Sequence, residues 1–214
     1  MQISSISGFH VSNRKGMQHW NGLLEKWIEF NERYCCVMKG GDAPFLYTER
    51  SHVGMLSAAA WHSGLISLEE FQHKKGYKNK KKHHGRADLY IGGEGIEDFI
   101  EAKFSWISLD SKRVKIQAEN TLTAALIDVG KTAGGKLDET AVGVAFLSMY
   151  SKNKIDIEEK IHETIETIKK IQSHAIAWCF PEKFRFEQCS DKTYAPGVLV
   201  LASRSKQFEN KKSR

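Results

Sequence analysis

Apolar positions recur at i, i+3, i+4 and i+7 over 17–34, where Met17, Trp20, Leu23, Leu24, Trp27, Ile28 and Tyr34 line one stripe. This spacing predicts an amphipathic helix. Gly40 to Pro44 interrupt the chain, and a second helix is expected over 48–62, with Thr48 as N-cap, Val53, Leu56 and Ala60 on one stripe and Gly64 as the stop. Residues 65–75 fit a strand less cleanly because Glu69 and Glu70 interrupt them. Residues 86–91 and 98–106 read as strands joined by Gly92, Gly93, Glu94 and Gly95. A helix follows over 110–130, with Val114, Ala118, Leu122, Ala125 and Val129 on its stripe and Gly130 after its end. The apolar run 141–149 predicts a strand covered on both faces. Ile157, Ile161, Ile165, Ile168 and Ile171 mark a helix over 157–173, with Asp156 and Glu159 at capping-box spacing. Strands at 175–180 and 197–203 complete an α/β domain with a mixed sheet.

At 214 residues the chain suits one domain with a substantial core. The reading is a helical N-terminal extension over 1–45, a core over 48–203 and a basic tail over 204–214. No apolar run approaches the roughly 18 residues of a membrane span, and the first residues lack the charged and apolar regions of a secretory signal. Cys35, Cys36, Cys179 and Cys189 form no CxxC pair. A reduced, cytoplasmic setting without membrane contact is therefore expected.

The net charge of +6 is local. Between 74 and 86 stand six Lys and one Arg with no acid, and the tail from Arg204 carries five cations and Glu209. The remainder is net acidic. Such concentration of positive charge is the footprint expected for a phosphate backbone. Lys74, Lys75, Lys78, Lys80, Lys81, Lys82 and Arg86 are the candidate phosphate contacts.

The chemistry-bearing stretch is Asp88, then Glu101-Ala102-Lys103, on the two strands after the basic run. A loop turning symmetrically about Glu94 and Gly95 pairs residues whose numbers sum to 189, which sets Asp88 opposite Glu101. Directly opposed residues share a face, and Lys103, two residues beyond Glu101, shares it too. Leu89, Ile91, Ile100, Ala102 and Phe104 then face the core. Opposed like charges destabilise a purely structural strand pair. A hard divalent cation relieves that conflict, since Mg²⁺ takes oxygen ligands, often one or two carboxylates with substrate phosphate. It can also activate a bound water and neutralise charge on a phosphoryl oxygen.

Asp88 followed by Glu101-Ala102-Lys103 on the next strand, between a preceding and a following helix, resembles the PD-(D/E)XK nuclease superfamily, whose fold is restriction-endonuclease-like. The similarity spans about 48–180, with Ala87 where a Pro often stands. It implies a Mg²⁺-dependent deoxyribonuclease, with Mn²⁺ as a substitute. Asp88, Glu101 and the Ala102 carbonyl would be metal ligands, and Lys103 would aid phosphodiester hydrolysis. Glu49 would complete the catalytic set from the preceding helix, and Gln117 would be an accessory on the following one. A homodimer is compatible with cutting both strands of a duplex. The alternative is a catalytically silent nucleic-acid-binding module of the same fold.

Other signals are weaker. Ala125 to Thr132 fits a relaxed P-loop pattern, but helix formers precede Gly130. His73, His83 and His84 lack zinc spacing. Tyr77 within the Lys run is a candidate for base stacking. Trp20, Trp27 and Trp61 are expected in the core.

Overall fold

Strand β1 (Ile6–Val11) precedes helix α1 (Trp20–Val37), a 3-10 turn (Pro44–Leu46) and helix α2 (Glu49–His62). Strands β2 (Ile66–Lys75), β3 (His83–Gly93) and β4 (Ile96–Ser108) follow, then helix α3 (Val114–Thr132) and strand β5 (Ala141–Ser151). Helix α4 (Ile157–Ile168) and strands β6 (Ala175–Phe180) and β7 (Tyr194–Arg204) complete the order. The computed structural model describes residues 4–13, 16–75, 83–132 and 141–205. Its seven strands form one mixed sheet in the order β1-β6-β7-β5-β4-β3-β2. Strands β4 and β5 run parallel, a pairing that needs a crossover, and α3 supplies it. The architecture is α/β, a seven-stranded mixed sheet flanked by helices.

Side-chain alternation sends each strand's apolar residues to one of two cores. Leu89, Ile91, Ile100, Ala102, Val144 and Phe146 pack with Trp20, Leu23, Leu24 and Trp27 of α1 and Val53 and Leu56 of α2. On the opposite face, Ile107, Ala145, Leu147 and Met149 pack with Val114, Ala118 and Leu122 of α3 and Ile157, Ile161 and Ile165 of α4. Strand β5 is buried nearly throughout, as its unbroken apolar run predicts. A fully buried side chain of this size gains about 1.5–3 kcal/mol from leaving water, so each two-sided strand is held by both layers.

Several expectations need correction. Residues 6–11, read as part of a helical extension, form an edge strand paired antiparallel with β6. Their burial alternates weakly because one edge and most of one face meet solvent, which left no clear period. Trp61 is 57% exposed rather than core, because it lies off the α2 stripe. Helix α3 continues through Gly130 to Thr132, so the Ala125–Thr132 stretch is helical and not a phosphate loop. Helix α4 stops at Ile168, and Asp156, at its N-cap, has a left-handed backbone and no side-chain cap bond. Thr48 occupies the α2 N-cap in extended conformation, also without a side-chain cap bond. Among the described residues, no helix is long and apolar enough to cross a membrane.

A buried carboxylate pins the chain's distant parts. Asp98, fully buried, accepts from Trp20 Nε1 at 2.8 Å and Arg204 Nη2 at 2.8 Å, and pairs with His19 Nε2 at 2.6 Å. This ties the start of α1 and the end of β7 to the β3–β4 hairpin, fixing that hairpin against the sheet.

Candidate active site

Strands β3 and β4 pair in the expected register, from Gly93↔Ile96 to Leu89↔Ile100, numbers that sum to 189. Among the described residues that ladder extends no further. Beyond Leu89, β3 continues only with β2, from Phe71↔Ala87 to Lys75↔His83. Strand β4 continues instead with β5, as far as Ser108↔Tyr150. The sheet therefore forks at Asp88 and Glu101.

A fork leaves backbone donors on the β3 side of β4 in need of partners. One of the carboxylates singled out in the sequence fills that role and a second stands close by. The backbone N–H of Ala102 donates to Asp88 Oδ2 at 2.7 Å. The backbone N–H of Phe104, one strand period further on, faces the Glu49 carboxylate closely enough to favour its ionised form. Asp88 thus ends the ladder by substituting its side chain for the next strand bond, and Glu49 approaches the same strand edge from the first turn of α2. The N–H and C=O of one strand residue point to the same edge, so the Ala102 carbonyl also faces the fork.

Glu101 and Lys103 lie on the α3 side of β4, opposite in facing to the core residues Ile100 and Ala102. Glu101 is buried at 4% exposure. Its parallel neighbour on β5 is Gly143, where an added Cβ would stand 2.8 Å from the backbone N of Leu126. Glycine there lets α3 lie against the sheet beside Glu101. That approach delivers Asp128 of α3 to Lys103, with Nζ and Oδ2 2.9 Å apart and both side chains about one-third exposed at 32%.

The charges act on one another. Burial raises the Glu49 carboxyl above its ordinary range, and the negative charges of Asp88 and Glu101 push the same way; Lys103 and the Phe104 N–H oppose them. Burial disfavours the Lys103 ammonium, but the hydrogen bond and charge of Asp128, with Glu49 and Asp88, outweigh it and leave the lysine raised and cationic. Glu49, Asp88, Glu101 and Lys103 are thus brought within electrostatic reach of one another.

The start of α2 is held firmly enough to position Glu49. Ser148 Oγ donates to the Phe45 carbonyl at 2.6 Å, anchoring the 3-10 turn on β5. One turn into α2, the His52 ring stacks on Phe146 with centroids 5.0 Å apart and lies 4.9 Å from Phe104. Burial there pushes the His52 pKa down to about 4, so the ring is neutral near neutral pH.

The remaining candidates are placed differently. Gln117 stands near the N-terminus of α3, where its Oε1 accepts from Ser111 Oγ at 3.2 Å. It is three turns from Asp128, which takes it away from the fork. Lys74 and Lys75 lie on β2, in register with His84 and His83. Lys78, Lys80, Lys81, Lys82 and Tyr77 lie outside the described residues. Arg86, 70% exposed, shares Glu70 with Arg50 of α2 at 3.2 and 2.9 Å. Glu70, which falls between the pairs Glu69↔Leu89 and Phe71↔Ala87, has a φ of +47°, so β2 turns close to the level of the fork.

Sequence reasoning missed Asp128 and the fork itself. Asp128 flanks the apolar stripe beside Ala125 and Val129, a signal that was open to reading. The fork depends on Asp88 capturing a backbone donor, which no spacing rule reveals.

Asp88, Glu101 and the Ala102 carbonyl offer hard oxygen donors, the ligand type that Mg²⁺ takes. Among the described residues, no three His, Cys, Asp or Glu side chains are gathered into a ready-made metal cluster. Compared with known proteins, the chain matches no family model, no curated protein and no solved structure.

Proposed function

We propose that this chain is a divalent-metal-dependent nuclease with a restriction-endonuclease-like core, hydrolysing phosphodiester bonds in DNA. The observation that carries the reading is the fork. Asp88, Glu101, Lys103 and Glu49 lie within electrostatic reach of one another at a strand edge that β3 leaves unpaired, beside an arm whose sequence carries the basic run, which supports this reading.

Asp88, Glu101 and the Ala102 carbonyl would hold the ion, and Glu49 would stand beside it. Bound there, Mg²⁺ supplies a polarised water and relief of phosphoryl charge. Lys103, kept cationic by Asp128, orients the attacking water and attracts the phosphate. Lys74, Lys75 and Arg86, with the run up to Lys82, hold flanking phosphates, so affinity falls steeply with salt.

The second reading, a silent nucleic-acid-binding module, is favoured by the absence of a ready three-ligand cluster among the described residues and by the pairing of Lys103 with Asp128. Incubating the protein with supercoiled plasmid, linear duplex, single strand and RNA, with Mg²⁺, Mn²⁺ or EDTA, separates the two. Metal-dependent cleavage supports the nuclease. Salt-sensitive binding with intact substrate in every metal supports the silent module.

A further inference from the structure

An aromatic cavity lies further along β4 from the fork, on the α2 side of the sheet. It has a volume of about 530 Å³ and is lined by Leu46, Trp106, Tyr150, Cys189, Thr193 and Ala195. That is within the usual range for small-ligand pockets and large enough for a nucleoside. Leu46 lies three residues before Glu49, and Trp106 two residues after Phe104, whose N–H acts on the Glu49 carboxylate. Ala102 and Trp106 are roughly 13 Å apart along β4.

Trp106 is 40% exposed, unusual for the largest apolar side chain on a central strand. Its neighbours Phe104 and Tyr150 meet it edge-on, with centroids 5.9 and 6.4 Å away and ring planes inclined at 77° and 71°. Such neighbours prop the indole upright without stacking on it. The facing loop is rigid: Asp191 accepts from the Thr193 N–H at 3.0 Å and its hydroxyl at 2.7 Å. The result is an aromatic platform with a carboxylate and hydroxyl at its rim.

We propose that this cavity receives an unpaired nucleobase, stacked on Trp106, from the strand whose phosphate lies at the fork, so that the chain acts on single-stranded or locally opened nucleic acid. The inference rests on the nuclease reading for the position of the phosphate. A base inside a duplex is stacked on both faces and cannot reach the indole without flipping out. A single strand offers its bases freely, and aromatic stacking is indifferent to their identity.

The test measures binding in EDTA, where cleavage plays no part. Short labelled single-stranded DNA and a duplex of the same sequence are titrated with wild type, Trp106→Ala, Trp106→Phe and Tyr150→Ala by fluorescence anisotropy. Circular dichroism checks that each variant is folded. Wild type is expected to bind the single strand. Trp106→Ala should weaken that binding about fivefold or more while duplex affinity stays put, and Trp106→Phe should keep most of it. A smaller loss, an equal loss on both substrates, or no single-strand binding by wild type overturns the proposal. Selective binding through Trp106 without cleavage in Mg²⁺ removes the nuclease reading and leaves the pocket. Cleavage with no effect of Trp106→Ala removes the pocket alone.

Discussion

Lys103 Nζ stands 2.9 Å from Asp128 Oδ2, joining β4 to the helix that crosses behind it. An exposed lysine carries a long flexible stem and samples many positions. Asp128 removes most of that freedom and holds the charge toward Glu49 and Asp88. Asp128→Asn keeps the shape and loses the charge. We expect kcat to fall about 10- to 100-fold through mispositioned Lys103, with KM little changed. Stability should move by less than about 1 kcal/mol, since the pair is one-third exposed. Steady-state kinetics beside urea unfolding checks both.

Gly143 decides whether α3 can lie close enough to make that pair. A Cβ there would meet Leu126 N at 2.8 Å and the Ala125 carbonyl carbon at 3.0 Å, both backbone atoms that cannot rotate away. Gly143→Ala is expected to cost about 1–3 kcal/mol by pushing the helix outward. It should also lower activity by more than the loss of folded protein explains. Activity per folded molecule, with the folded fraction read by circular dichroism, is the measurement.

On the nuclease reading, Glu49 would link pH to metal. Burial first, then the charges of Asp88 and Glu101, raises its pKa in the fold. A raised carboxyl contributes stability below its unfolded pKa, and that contribution is lost as pH rises through the folded value. Near neutral pH the ionised form is therefore a cost, which a bound divalent ion removes. Mg²⁺ should raise Tm more at about pH 8 than at about pH 5, and Glu49→Gln should shrink the difference. Thermal unfolding with and without Mg²⁺ at the two pH values tests this.

His52 makes the opposite prediction. Burial between Phe104 and Phe146 lowers its pKa to about 4, whereas an unfolded histidine titrates near 6.5. The unfolded chain takes up the proton first, so stability is present above about 6.5 and is lost as pH falls toward 4. Between about pH 7.5 and pH 5 this amounts to about 2 kcal/mol. His52→Phe, which keeps the stacked ring, should flatten that part of the profile in urea unfolding.

Much of the local structure around the candidate site was legible in the chain, for physical reasons. The hairpin register follows from a symmetric turn at Glu94 and Gly95, and Leu89↔Ile100 falls on it. Helices α1 and α4 were visible because their stripes are deeply buried, and β5 because both its faces are. Strand β1 was not, because an edge strand with one wet face has little period to show. The Lys103–Asp128 pair joins positions 25 residues apart on different elements, so only packing creates it. Trp61 misled because an apolar residue beside a stripe reads like one within it, and its place off the buried α2 face leaves it exposed.

The central claim is that the fork at Asp88 and Glu101 hydrolyses phosphodiesters with a divalent ion. The most direct measurement is nucleic-acid cleavage by wild type and Glu101→Gln side by side, in Mg²⁺ and in EDTA, with binding followed in parallel. The account predicts cleavage by wild type in Mg²⁺ alone and a loss of about 100-fold or more in Glu101→Gln, with binding retained. Cleavage by Glu101→Gln at the wild-type rate, or wild-type cleavage undiminished by EDTA, contradicts it.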